Sequence, residues 1–129
     1  MASDIHVLLV DDEASVRDNL QAYLEDEGFI VIPAGSGEEA LDAVEQQQRF
    51  GVAIVDMRLP GMSGNDFIRR AIELSEQLHF IIHTGSLEYQ LPEDLHSLGV
   101  SPADVLLKPI GDLSELTRRL TALKPALSG

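Results

Sequence analysis

Four places along the chain carry side chains that could share one piece of chemistry. Asp11, Asp12 and Glu13 form an acidic run directly after an apolar stretch, and Asp56 ends another. Thr84 lies in His83-Thr84-Gly85-Ser86 after a third, and Lys108-Pro109 follows a fourth. Carboxylates held a few ångströms apart repel, and at least one has its pKa raised unless a cation compensates. Hard carboxylate oxygens suit Mg2+, which keeps several of its waters. Asp11, Asp12 and Asp56 therefore read as a small-cation site with open positions. Such a cation, the Lys108 ammonium and the Thr84 hydroxyl together suit a phosphoryl group: the two cations neutralise its oxygens and the hydroxyl donates to one of them. A carboxylate within the cluster can act as nucleophile. Asp56 is the candidate, because its strand reads as central.

The elements that must position these groups are legible from hydrophobic patterning. Five apolar runs stand out: Ile5 to Val10, Phe29 to Ile32, Val52 to Val55, Phe80 to Ile82 and Val105 to Leu107. Several are continuous, as in parallel strands covered on both faces. Helical spacing separates them. Val16, Leu20, Tyr23 and Leu24 share a face, with Gly28 as a stop. Ser36 and Glu39 make a capping box before Ala40, Leu41 and Val44. Phe67, Ile68, Ala71 and Ile72 repeat the pattern, and Pro92 to Leu98 is a shorter candidate with Pro92 suited to a first turn. Leu113, Leu116, Leu120 and Leu123 form the last stripe, with Asp112 as its expected cap. Strand and helix alternate five times, which predicts an α/β domain with a five-stranded parallel sheet and helices on both faces. Sites in such sheets form outside the carboxyl ends of the strands. Four of the five ends carry the reactive groups, and only the second, at Pro33-Ala34, carries none.

Composition narrows the function classes. The 129 residues suit one domain, expected over 1–124, with 125–129 as a tail or the start of a linker. There is no cysteine, which excludes disulfides, thiolate metal sites and thiol nucleophiles. Nine basic against 22 acidic residues give a formal net charge of −13, which repels nucleic acid. No signal-peptide pattern and no membrane-spanning apolar run is present, so a cytoplasmic location is expected. His6, His79 and His96 lack ligand spacing for zinc. His83 is expected to be structural, and Glu13 to support the first helix.

Four motifs then carry a resemblance: Leu8-Leu9-Val10-Asp11-Asp12-Glu13, Val55 through Gly64, Thr84-Gly85-Ser86, and Leu107-Lys108-Pro109. Over residues 5–123 the chain resembles the receiver domain of two-component response regulators, and this implies a flavodoxin-like order of elements. The resemblance makes Asp56 the phosphate-accepting aspartate and Asp11 and Asp12 the pair that places Mg2+. It makes Met57 a further ligand through its backbone carbonyl, Thr84 the switch hydroxyl, and Lys108 the lysine on a phosphoryl oxygen. It also implies a cis bond before Pro109. The implied phosphodonor is a histidine kinase or phosphotransfer protein, and the implied readout is an output domain, a partner protein or a homodimer.

Two features depart from the family pattern. Val105 stands where the family often has Tyr or Phe, so no ring can swing there. Residues Gly99 to Asp104 are about two longer than the usual stretch, which with Pro92 suggests a short or reoriented fourth helix. Two other functions stay open from the sequence. An aspartate-nucleophile phosphatase needs an acid two residues after Asp56, where Arg58 stands. Arg58 could instead tune loss of the phosphoryl group, or be a solvated surface residue. A phosphorylation-independent interaction module is kept open by Val105.

Overall fold

The apolar runs become five strands: β1 (His6–Val10), β2 (Ile30–Ala34), β3 (Val52–Asp56), β4 (His79–Thr84) and β5 (Val105–Leu107). The helices between and after them are α1 (Ala14–Asp26), α2 (Gly37–Gln47), α3 (Gly64–Leu74), α4 (Glu93–Ser97) and α5 (Ser114–Ser128). This computed structural model describes residues 5–47, 50–75, 77–108 and 113–128. The expected cap Asp112 and the bond before Pro109 lie outside the described residues.

All strand pairs are parallel, in the order β2-β1-β3-β4-β5. From β1 the chain goes outward to β2, then crosses back to β3 on the other side. This reversal opens a crevice beyond the ends of β1 and β3, the usual site position in such a sheet.

Alternate strand residues feed two separate cores, because successive side chains point to opposite faces. Leu8, Val10, Ala53, Val55, Phe80 and Ile82 pack with Ala40 and Val44 of α2 and with Phe67, Ile68 and Ala71 of α3. Val7, Leu9, Val52, Ile54 and Ile81 pack with Leu20 and Leu24 of α1 and with Leu116 and Leu120 of α5. The sheet is thus covered on both faces, which explains the continuous apolar runs. A fully buried side chain such as Phe67 contributes about 2–3 kcal/mol.

Local signals set the helix ends. Ser36 Oγ accepts from Glu39 N at 3.1 Å, as in a capping box. The Glu39 carboxylate reaches back to Gly35 N at 3.2 Å, one residue before the usual partner. Ser63 caps α3 by accepting from Asp66 N at 3.1 Å. Gly28, with φ +97°, follows the end of α1.

The fourth helix is short, only Glu93–Ser97, with Pro92 at its N-cap. The long stretch behind it is ordered. Val100 is buried, and Ser101 caps a 3-10 turn over Pro102–Asp104 by accepting from Ala103 N at 3.1 Å. Asp104 then pairs with Arg119 of α5, whose Nε donates at 3.1 Å. The last helix runs on to Ser128, through the residues that composition reads as a tail. No described helix is long and apolar enough to cross a membrane.

Candidate phosphoryl and cation site

Each reactive group stands at the carboxyl end of a strand. Asp11 follows β1, Asp56 ends β3, Thr84 ends β4 and Lys108 follows β5. Parallel pairing brings these ends to one edge. Backbone bonds fix the arrangement there. Lys108 N donates to Thr84 O at 2.7 Å, tying the ends of β4 and β5 together, and Asp11 N donates to Ala34 O at 3.1 Å.

Side-chain oxygens of Asp11, Asp12 and Asp56 lie within 4.8 Å of one another. Asp11 and Asp56 are buried and Asp12 is exposed, so the cluster opens to solvent on one side. Lys108 Nζ bridges the two buried members, 2.9 Å from Asp11 Oδ2 and 3.4 Å from Asp56 Oδ1. Asp11 is held further by Glu13 N, which donates to its Oδ1 at 2.9 Å. Asp56 Oδ1 accepts from Arg58 N at 3.3 Å. Burial is the main cause that lifts the Asp56 carboxyl above the usual range. The Arg58 amide pulls it down, the Asp11 charge pushes it up and Lys108 pulls it down. Burial alone would lower the Lys108 ammonium. Its hydrogen bond to Asp11 and the Asp11 and Asp56 charges outweigh this and raise it.

Asp12, Glu13, Asp56, Arg58, Gly85 and Lys108 line a cleft of about 370 Å³. The donor set fits a hard divalent cation: among the described residues three carboxylates converge, and the Lys108 ammonium stands against them. Met57 lies beside the cluster. Its carbonyl accepts from Gly64 N at 3.3 Å, which leaves one lone pair uncommitted. Thr84 is buried, and its Oγ accepts from Ser86 N at 3.1 Å. Its own hydroxyl proton is therefore free to donate elsewhere.

Three contributors act through contacts that the site motifs do not show. Arg17 of α1 donates from its guanidinium to the Asp11 carbonyl at 2.7 Å, holding the end of β1. Its place one turn into α1 from the acidic run was readable, but its target was not. Gly64 lets α3 approach β3: a Cβ there would stand 2.5 Å from the Asp56 carbonyl oxygen and 2.9 Å from Met57 Cα. His83 pairs in register with Asp56 and is buried. Its Nε2 has no hydrogen-bond partner among the described residues. Burial, helped by the Lys108 charge, lowers its pKa to about 4, so it is neutral at ordinary pH.

Known proteins share this architecture. The family model described as "Response regulator receiver domain" matches residues 7–121. The two-component response regulator PhoP of Pseudomonas aeruginosa is 33% identical over 123 residues, which are 95% of this chain and 53% of that protein. The chain spans about half the length of the first curated relatives it matches, 50%, 53% and 56%. Among solved structures, a response regulator receiver protein from Pseudomonas putida is 36% identical with a TM-score of 0.80, covering 95% of this chain and 99% of that one. The response regulator TrrA from Thermotoga maritima, solved with Mg2+ and BeF, is 27% identical with a TM-score of 0.79, covering 92% and 98%.

Proposed function

Because the chain belongs to the response regulator receiver family, we propose that it is a signalling switch in which Asp56 takes a phosphoryl group from a phosphohistidine of a histidine kinase or phosphotransfer protein. The observation that carries this reading is the bridge of Lys108 Nζ to both Asp11 and Asp56, at 2.9 and 3.4 Å, beneath an open cleft. An ammonium there can follow a phosphoryl oxygen without leaving the cluster. TrrA, solved with Mg2+ and BeF, is a relative with the same fold.

Asp11, Asp12, Asp56 and the Met57 carbonyl would hold Mg2+, which when bound neutralises charge on the transferring group. The chain's own groups do the rest. An Asp56 carboxylate oxygen attacks phosphorus in line with the departing imidazole nitrogen. The P–N bond breaks, its electron pair goes to the imidazole, and a P–O bond to Asp56 forms. Lys108 and the Thr84 hydroxyl each meet a phosphoryl oxygen. Among the described residues Thr84 Oγ accepts from Ser86 N, which leaves its proton available to donate.

Phosphatase turnover would need a proton donor for the leaving group two residues beyond Asp56. Arg58 lines the cleft and has no transferable proton at ordinary pH. The chain is a switch of a signalling family rather than an enzyme of that kind. We assign the receiver unit to residues 1–124 and its setting to the cytoplasm. Its state would be read by an output domain, a partner protein or a second copy.

The test is incubation with Mg2+ and acetyl phosphate followed by intact mass. One phosphoryl mass gained by the parent and lost in Asp56→Asn supports the reading. No gain on the parent, or a gain that survives Asp56→Asn, refutes it.

A further inference from the structure

The switch needs a readout, and position 105 offers none: Val105 is half-buried at the edge of a core and carries no ring. A ring does pack against the same core from another direction. Tyr89, in the connection between β4 and α4, joins that cluster, and its hydroxyl donates to Asn65 Oδ1 on α3 at 2.8 Å.

A continuous set of hydrogen bonds links this tyrosine to Thr84. Thr84 Oγ accepts from Ser86 N at 3.1 Å. Ser86 Oγ accepts from Glu88 N at 3.3 Å, and Ser86 O accepts from Tyr89 N at 3.3 Å. Two of the three are long, and each bond of this type contributes only about 1 kcal/mol net. Beyond these bonds, the segment is held by Tyr89 and Leu91, which pack part-buried against the core. It precedes the first residue of α4, Glu93, and Leu87 within it is 85% exposed. The far end closes the circuit. Asn65 follows Gly64, whose N–H donates to Met57 O and where an added Cβ would stand 2.5 Å from the Asp56 carbonyl oxygen.

The switch role proposed for Thr84 turns its side chain toward the phosphoryl group. Turning its hydroxyl toward a phosphoryl oxygen moves Oγ about χ1 and takes the acceptor from Ser86 N. We propose that Tyr89 is the readout residue of this chain: the turn at Ser86–Tyr89 reports the Thr84 rotamer, and loss of the Tyr89–Asn65 bond changes the surface between α3 and α4. The inference rests on Asp56 as the acceptor. It replaces movement at position 105 by movement five residues after Thr84. Its physical basis is a population shift between two arrangements separated by a few weak bonds.

The chain allows a direct measurement, because it has two tyrosines, Tyr23 and Tyr89, and no tryptophan. Tyr23→Phe leaves Tyr89 as the single tyrosine, which can be labelled as 3-fluorotyrosine and followed by fluorine NMR. Mg2+ and acetyl phosphate are added, and intact mass is taken on the same sample. The expected result is a mass gain together with a new Tyr89 resonance in proportion to it. Asn65→Leu should move the resting resonance toward the phosphorylated position, and Val105→Ala should leave the phosphorylation-induced shift unchanged. A mass gain with an unmoved Tyr89 resonance overturns the readout while leaving Asp56 as acceptor. An induced shift abolished by Val105→Ala returns the readout to position 105. No mass gain overturns both.

Discussion

Replacing Lys108 with methionine keeps most of its apolar stem and removes its charge. Nζ stands 2.9 Å from Asp11 Oδ2 and 3.4 Å from Asp56 Oδ1. At an effective dielectric of about 20, these separations give gross attractions of about 6 and about 5 kcal/mol. Most of that is offset, because the buried ammonium had to leave water. Breaking a buried pair costs about 3–5 kcal/mol net. The lower end applies here. The Lys108 side chain is 16% exposed, and Asp56, already raised, can take up a proton once its cation is gone. Lys108→Met should therefore lose about 3 kcal/mol in EDTA at neutral pH. With a urea slope of about 2 kcal/mol/M, the midpoint falls by about 1.5 M. Mg2+ should act in the opposite sense. The ammonium repels a divalent ion in the same cluster, so its removal should tighten Mg2+ binding at least roughly tenfold, and saturating Mg2+ should stabilise the variant more than the parent. Urea unfolding followed by circular dichroism, with EDTA and with Mg2+, measures both effects. A loss under about 1 kcal/mol in EDTA would place the pair among exposed ion pairs of little worth. An equal Mg2+ increment in parent and variant would show that Lys108 and the cation site are uncoupled. Either result refutes the reasoning.

Other outcomes follow from neighbouring residues. Gly64→Ala should destabilise by about 2 kcal/mol in urea, although alanine is the better helix former, because its Cβ would meet the Asp56 carbonyl oxygen at 2.5 Å. A variant as stable as the parent would show that α3 can step back from β3. His83 is neutral when folded, with a pKa near 4 against 6.5 unfolded, so stability should be full above pH 6.5 and fall as pH drops toward 4, by up to about 3 kcal/mol. His83→Leu should flatten that slope in EDTA, and an unchanged slope would assign it elsewhere. Asp56 has the reverse sign: its folded pKa is raised, so its contribution is present below the unfolded value and lost as pH rises through the folded one. Asp56→Asn should accordingly be more stable than the parent at neutral pH in EDTA, by about 1 kcal/mol, and should lose stabilisation by Mg2+.

The fold was legible because its physics is local and repetitive. Continuous apolar runs such as Val52 to Val55 imply cover on both faces, and the two cores provide it. Strand ends carry the site, since parallel pairing forces Asp11, Asp56, Thr84 and Lys108 to one edge. What the spacing could not give was the partner of each group. Arg17 on the Asp11 carbonyl, and Tyr89 on Asn65, depend on how helices sit against the sheet. The helical course through Pro125 was hidden for another reason: proline and small residues suggest a break, yet α5 runs to Ser128.

The 3-10 turn at Pro102–Asp104 separates two ways of counting along the chain. Lys108 is placed by the pairing of Ile82 with Val105 and Thr84 with Leu107, so its position is reckoned from the start of β5, not from the end of β4. Residues added before Val105 are taken up by the turn, whose Asp104 is moored to Arg119. One residue added between Val105 and Lys108 would turn the ammonium to the opposite face of the sheet. Length is thus free to drift on one side of Val105 and fixed on the other. In descendants of this chain, insertions should accumulate at 99–104 and be absent from the three residues that precede the lysine.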